Sequence, residues 1–173
     1  WQALEDISKK PVKKFMHAWT SFSGFPLVSV VKSKEKVTLD QARFYVNPKH
    51  PKHNDKLWPI ALESGDSSYP ELLDRKELEI QKSTSPIKLN LGQTGFYRVN
   101  YSENLLRELG LEVKSGNVPP IDRLGLLSDL TEVSKAGFTP AVNVLNFLEN
   151  YSKEDNNAVW DVIAITIGSI RQV

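Results

Sequence analysis

The sequence predicts a mixed β plus α chain, in which an immunoglobulin-like antiparallel β-sandwich is flanked by N-terminal helices and a C-terminal helical segment. Three successive patterns predict it. Apolar residues recur at helical spacing up to residue 23, follow a period of two from 24 to 101, and return to helical spacing from 102 onward. We therefore expect segments at 1–23, 24–101 and 102–173.

The composition favours a soluble globular chain and excludes several classes of function. The 173 residues are 40% hydrophobic and 25% charged, with a net charge of +1 and no cysteine. The charge gives no electrostatic basis for binding nucleic acid, and no run approaches the roughly 18 apolar residues of a membrane span. Without cysteine there is no disulfide or thiolate site, which fits a reducing compartment or a heat-adapted host. We expect a cytoplasmic protein.

Two short helices are predicted at the N-terminus. The first contains Trp1, Leu4 and Ile7 at helical spacing, and Pro11 suits the first turn of the second. The second carries an apolar stripe, typical of core packing, at Val12, Phe15, Met16 and Trp19. Because the chain starts inside this pattern and without an initiator Met, we expect it to be a piece of a larger protein.

The central segment contains short runs of alternating or β-branched residues, separated by turn residues and by no helix. Such spacing is typical of an antiparallel sandwich. Gly92–Gly95 is expected to form a tight turn, because the lysine and the following helix of a phosphate-binding loop are missing. The predicted strands are Leu27–Lys32, Val37–Val46, Leu57–Leu62, Glu77–Gln81, Ile87–Leu91 and Phe96–Tyr101.

Four helices are expected after residue 102. The first spans Asn104–Leu109 and should stop at Gly110. The second follows Pro119-Pro120, ends before Gly137, and has one apolar face formed by Ile121, Leu124, Leu127, Leu130 and Val133.

The third and fourth helices carry predicted caps. Thr139-Pro140 suits the start of the third helix, whose apolar positions are Val144, Leu145, Leu148 and Tyr151. Ser152–Asp155 resembles a capping box before Ala158–Ile170. That last helix is apolar on nearly every side, so it needs more neighbours than three helices supply.

Candidate metal ligands are few. The chain has only His17, His50 and His53, and no H-E-x-x-H motif. His50 and His53 could bind a metal weakly, but a solvated, proline-rich loop explains them better, and His17 is expected on a helix surface. We assign no catalytic, cofactor-binding or metal-binding residue to this chain.

Other residue types offer no clearer site. There is no G-x-S-x-G motif. Glu77 and Glu79 share a strand face that should meet solvent, and capping or surface charge explains Asp122 and Asp129, which share a helix face. The strand aromatics should mostly fill the sandwich, with a binding platform as the alternative: Phe44, Tyr45, Trp58, Tyr69, Phe96, Tyr97 and Tyr101.

Six motifs in order carry a family resemblance. They read W…GFPLVSV, VTLDQARF, LWPIALE, GFYRVNY, DRLGLLSD…AG and AVWDVIA. Together they resemble the zinc aminopeptidases of the aminopeptidase N type over essentially the whole chain. The family pattern often has Asp after YRVNY, where this chain has Ser102.

The resemblance implies a place for each segment. Residues 1–23 would end a thermolysin-like catalytic domain, 24–101 would form the small β-sandwich domain, and 102–173 would open a large helical domain. The zinc motif, the G-A-M-E-N loop and the transition-state tyrosine of the family would all precede Trp1. Tyr97 and Tyr101 therefore do not correspond to that tyrosine.

Two hypotheses follow. In the first, the chain is a non-catalytic structural segment of a zinc aminopeptidase that removes N-terminal residues from peptides. Its partners would be the missing catalytic domain and the rest of the helical domain, with packing anchored by Phe22, Phe25, Trp58 and Tyr97, and with Asp122 and Arg123 starting the helical domain. In the second, it is a free-standing sandwich that binds a peptide or glycan and dimerises through its helices.

Overall fold

A computed structural model describes residues 1–47, 56–67, 69–81 and 87–170. Within these ranges the chain is mixed α and β, with two helices before the strands and four after them. The helices are α1 (Gln2–Ser8), α2 (Val12–Ser21), α3 (Glu103–Ser115), α4 (Pro120–Lys135), α5 (Ala141–Leu148) and α6 (Asn157–Ile170). The strands are β1 (Pro26–Lys32), β2 (Lys36–Arg43), β3 (Ile60–Ala61), β4 (Leu72–Leu73), β5 (Glu77–Gln81) and β6 (Arg98–Tyr101).

The two N-terminal helices form where they were predicted, but they pack differently. In α2, Ala18 is buried and the Trp19 indole Nε1 donates to the Pro59 carbonyl at 3.0 Å, which ties the helix to the strand region. Helix α1 buries no residue, and its apolar side chains remain 53–82% exposed at Leu4, Trp1 and Ile7. The structure therefore leaves the apolar side of α1 uncovered.

The main sheet is mixed rather than antiparallel. Its order is β5-β2-β1-β6, with β1 antiparallel to β2 and β2 antiparallel to β5. Strand β6 lies parallel to β1, with Val28 opposite Val99, so the prediction of purely antiparallel pairing is wrong at this edge. The long connection through β3, β4 and β5 returns the chain to the free edge of β1 in the same direction, as a crossover does.

The predicted strand at Ile87–Leu91 does not form. The Leu89 N–H donates to the Tyr101 hydroxyl at 2.8 Å, and the Lys88 ammonium donates to the carbonyls of Leu89 and Asn90 at 3.0 and 2.8 Å. Side chains thus satisfy the backbone groups that a strand partner would have bound. A short 3₁₀ turn at Leu91–Gln93 follows, which confirms the turn expected at Gly92–Gly95.

A second, two-stranded pair is joined to the main sheet by one glutamine. Gln41 on β2 is 1% exposed, and its amide oxygen accepts the Trp58 N–H at 2.9 Å. Its amide nitrogen donates to the carbonyls of Trp58 and Arg75 at 3.1 and 3.0 Å, and to that of Leu73 on β4 at 3.4 Å. The predicted strand Leu57–Leu62 is correspondingly short, since only Ile60–Ala61 pairs, with Leu72–Leu73.

Helix α3 runs through Gly110, where a stop was predicted. A Cβ at Gly110 would lie 2.6 Å from the Asn150 amide nitrogen, so this glycine leaves room for the Asn150 side chain. The helix ends instead at Gly116, whose φ of 82° suits the left-handed conformation of a helix C-terminus.

The predicted caps of the last two helices are wrong. The Thr139 hydroxyl donates to the Asn100 side chain at 3.0 Å, so it binds β6 instead of capping α5. The N-cap of α6 is Asn156, whose Oδ1 accepts the N–H groups of Ala158 and Val159 at 3.0 and 3.4 Å. Ser152 lies four residues too early because the 3₁₀ turn Glu149–Tyr151 and the loop after it extend the connection.

Helix α6 is covered on one side only. Val159, Ile163 and Thr166 are buried, and the Thr166 hydroxyl is 2.9 Å from the Thr131 hydroxyl of α4. Its other side leaves three large apolar residues about half exposed or more: Trp160, Ile165 and Ile167. In the part of the chain that the structure describes, no helix is both long enough and apolar enough to cross a bilayer.

Candidate functional site

The most distinctive polar feature is the junction where helix α4 meets the sheet. Asp122, Gly125 and Asp129 lie at positions i, i+3 and i+7 of α4, so they share the face that contacts β6 and the 3₁₀ turn. Both carboxylates are buried, at 4% and 7% exposure. The prediction that they are capping or surface charges is therefore wrong.

At one end of this face, Asp122 binds the segment before β6. Its Oδ1 lies 2.7 Å from the Lys88 ammonium and accepts the Gly92 N–H at 2.8 Å. Burial lowers the pKa of Lys88, while its hydrogen bond to Asp122 acts in the opposite direction. Three oxygens surround this ammonium, so the buried charge is well satisfied.

Toward the middle of α4, Asp129 binds β6 itself. Its Oδ1 accepts from Nη1 of Arg98 at 3.0 Å, and its Oδ2 accepts the Val99 N–H at 3.0 Å. Burial raises the pKa of the Asp129 carboxyl to about 6, while the Val99 N–H and Arg98 oppose that rise. This carboxylate thus connects the edge strand of the sheet to the helices.

The opposite side of α4 is fixed to the connection before α6. Arg123 donates to both carboxylate oxygens of Glu154 at 2.7 Å, in the two-point geometry that guanidinium and carboxylate favour. It also donates to the Val118 carbonyl at 2.8 Å, and the Tyr151 hydroxyl donates to the Arg123 carbonyl at 2.7 Å. Adjacent residues Asp122 and Arg123 thereby orient α4 against two different neighbours.

The charged groups of this junction attach α4 to the elements around it. Its carboxylates, ammonium and guanidinium are engaged with one another and with backbone groups, as buried charges in a structural contact must be. The sequence contained a signal that could have revealed it, namely two aspartates seven residues apart on one helix face with a glycine between them. Their partners Lys88 and Arg98 could not be read from spacing alone.

The aromatic residues support core packing more than a binding platform. Five of the seven strand aromatics are buried, Tyr45 is partly buried, and Phe96 is 69% exposed. The four predicted anchors behave as expected, since Trp58 and Tyr97 are buried while Phe22 and Phe25 pack partly buried against the core. This distribution does not favour a free-standing binding module.

The remaining candidates give no metal centre among the described residues. His17 is exposed on α2, and Glu77 and Glu79 are exposed on β5, as predicted. His50 and His53 lie outside the described residues. Within the described ranges, no three His, Cys, Asp or Glu side chains are grouped so that they could hold a metal ion. The donor set described here does not fit a zinc site.

Comparison with known proteins identifies the family. Residues 86–173, half of the chain, match the family model of the ERAP1-like C-terminal domain. The chain belongs to this family. The matched region contains the Lys88–Asp122 and Arg98–Asp129 pairs together with helices α3 to α6.

The curated relatives confirm the resemblance to aminopeptidases of the aminopeptidase N type. Alanine/arginine aminopeptidase of Saccharomyces cerevisiae is 31% identical over 99% of this chain, and puromycin-sensitive aminopeptidase of Caenorhabditis elegans is 31% identical over 94%. Tricorn protease-interacting factor F2 of Thermoplasma acidophilum is 32% identical over 95%. The chain spans about a fifth of the length of these relatives.

Proposed function

We propose that this chain is a non-catalytic supporting segment of a zinc aminopeptidase, whose whole molecule removes N-terminal residues from peptides. The observation that carries the proposal is the alignment of nearly the whole chain with a fifth of each aminopeptidase relative. The chain itself has no H-E-x-x-H motif, and its buried charged groups at the junction hold α4 to the sheet. Peptide hydrolysis is assigned to residues outside this chain.

Within that protein we propose the three roles that the sequence suggested. Residues 1–23 would end the catalytic domain, 24–101 would form the immunoglobulin-like sandwich domain, and 102–173 would begin the helical domain. Two observations support this order. The uncovered apolar sides of α1 and α6 are suited to contacts with further domains, and Gln41 joins β2 to the layer that contains β3 and β4.

Zinc would belong to the catalytic domain of the whole protein. In enzymes of this type a bound zinc ion polarises the scissile carbonyl and lowers the pKa of a bound water. We also propose a cytoplasmic location, which is supported only by the absence of cysteine.

Activity measurements on two proteins test the proposal. The complete protein encoded by the gene should hydrolyse aminoacyl-anilide substrates, and its sequence should contain H-E-x-x-H before Trp1. The 173-residue chain should show no turnover above the buffer rate, even with added zinc. Turnover by the 173-residue chain, or a complete protein that is inactive and lacks the motif, would reject the proposed function.

A further inference from the structure

The two buried ion pairs at the junction differ in how well they are satisfied. Lys88 has three oxygen partners and its side chain is 9% exposed. Arg98 is 25% exposed, and its Nε makes no hydrogen bond with the described residues. The Asp129 side chain is 10% exposed. Its cationic partner, Arg98, is therefore the more exposed of the two cations and the one with fewer of its N–H groups hydrogen-bonded to the described residues.

Several other groups interact with Asp129. The segments packed against α4 contribute Lys88 before the 3₁₀ turn, Arg98 on β6, and the Tyr97 and Tyr101 phenols. Asp122 lies seven residues earlier on the same face of α4 and binds Lys88. Helix α6 meets α4 at the hydroxyl contact between Thr166 and Thr131. The guanidinium of Arg98 also lies over aromatic rings, with its central carbon 5.5 Å from the Phe44 ring centre.

Removing a carboxylate from water disfavours its charged form. The partly exposed guanidinium of Arg98, the Val99 N–H and the Lys88 ammonium compensate for only part of that cost. The direction of the Asp129 shift agrees with this, because burial is its largest cause and raises the pKa to about 6. When the contact between α4 and β6 opens, the carboxyl returns to water and to an ordinary value near 3.8. The closed contact therefore binds a proton more tightly than the open one.

We propose that the contact between α4 and β6 is a proton-linked latch, which closes more firmly when Asp129 takes up a proton and opens more readily when that proton is lost. In the protonated state Oδ2 still accepts the Val99 N–H, while Arg98 can turn toward solvent. The added stability is complete below about pH 4 and is lost as the pH rises through about 6. The latch would tune how firmly the helices are held to the sheet.

The Val99 amide is a direct reporter of this latch, because its N–H binds Asp129. In the 173-residue chain, its amide proton and nitrogen NMR shifts should titrate in one step with a midpoint near pH 6. In Asp129→Asn the step should vanish. In the matched variant Asp122→Asn, which changes the other buried carboxylate of the same helix face, the step should remain.

Stability supplies a second readout. When the pH is lowered from 7 to 4, the unmodified chain should gain stability relative to Asp129→Asn. The ratio of its unfolding equilibrium constant to that of Asp129→Asn should fall roughly tenfold or more, because each unit of difference in pKa is worth a factor of ten. The latch is rejected if Val99 in the unmodified chain shows no step between pH 5 and 7, if the step persists in Asp129→Asn, or if the relative stability falls on acidification. None of these measurements needs peptidase activity, so their failure is separate from failure of the proposed function.

Discussion

At the scale of single residues, the Asn150 side chain, rather than a helix end, accounts for the glycine at position 110. A methyl group there would meet the Asn150 amide at 2.6 Å and displace it from its 3.0 Å hydrogen bond to the Phe147 carbonyl. Gly168 also lies within a helix, but apart from that helix's own backbone and the adjacent residues, no described atom lies within 4 Å of the position a methyl group would occupy. The two glycines therefore form a matched pair.

We predict different effects for the same substitution at these two sites. Gly168→Ala should leave the free energy of unfolding unchanged or raise it by up to about 1 kcal/mol, because alanine favours helix. Gly110→Ala should lower it by about 1 kcal/mol relative to Gly168→Ala, because the Asn150 side chain must move and lose its hydrogen bond to the Phe147 carbonyl. Urea unfolding followed by circular dichroism measures both, and equal stability of the two variants would contradict the assigned contact.

Gln41 is the second residue whose environment defines its role. Gln41→Leu keeps a similar volume but removes the acceptor of the buried Trp58 N–H and the donor to three carbonyls. Leaving such buried groups without a hydrogen-bond partner costs about 1–3 kcal/mol each, so we expect the free energy of unfolding to fall by on the order of 3 kcal/mol. Gln81→Leu, at an exposed site of β5, should change stability by less than about 0.5 kcal/mol in the same urea titration.

At the scale of elements, the start of α6 shows how a local motif can mislead. Asn156→Ala should lower the free energy of unfolding by about 1 kcal/mol, because it removes the side-chain acceptor of two N–H groups in the first turn of the helix. Ser152→Ala should have almost no effect. If Ser152→Ala unfolded at a lower temperature than Asn156→Ala, the result would support the capping box at Ser152–Asp155 that the sequence suggested.

The elements predicted best from sequence are those determined by their own side chains. The periods of α2, β1 and β5 place them correctly, because apolar repeats of 3.6 or two residues report directly on which face is buried. The period of α1 predicts the helix, although its apolar side is not buried in the described structure. The segment Ile87–Leu91 could not be predicted, since Lys88 and Tyr101 replace a strand partner there. The parallel placement of β6 likewise depends on the path of the intervening chain.

The junction was only partly predictable for the same reason. The shared face of Asp122 and Asp129 follows from helical geometry. Their burial does not, because it depends on Lys88 and Arg98, which lie more than thirty residues away in the chain. A pair of charges on one helix face is ordinarily solvated, and only the three-dimensional contact shows that these two are enclosed.

At the scale of the whole molecule, the junction implies that sheet and helices fold together. Residues 24–101 alone would leave Lys88 and Arg98 without their aspartate partners, and would expose the face of β6 that α4 covers. We predict that this segment shows no cooperative thermal transition, whereas residues 24–137, which add α3 and α4, do show one. Calorimetry of the two polypeptides decides this, and independent folding of 24–101 would show that the helices are dispensable for the sheet.

We propose that, in the whole molecule, this chain supports a peptidase whose metal ion is bound by residues outside it. The most direct test is the zinc content, measured by mass spectrometry after dialysis, of the complete gene product and of the 173-residue chain. We expect about one zinc ion per complete protein and no retained zinc in the 173-residue chain. Stoichiometric zinc in the 173-residue chain would contradict the claim, as would a complete protein without zinc.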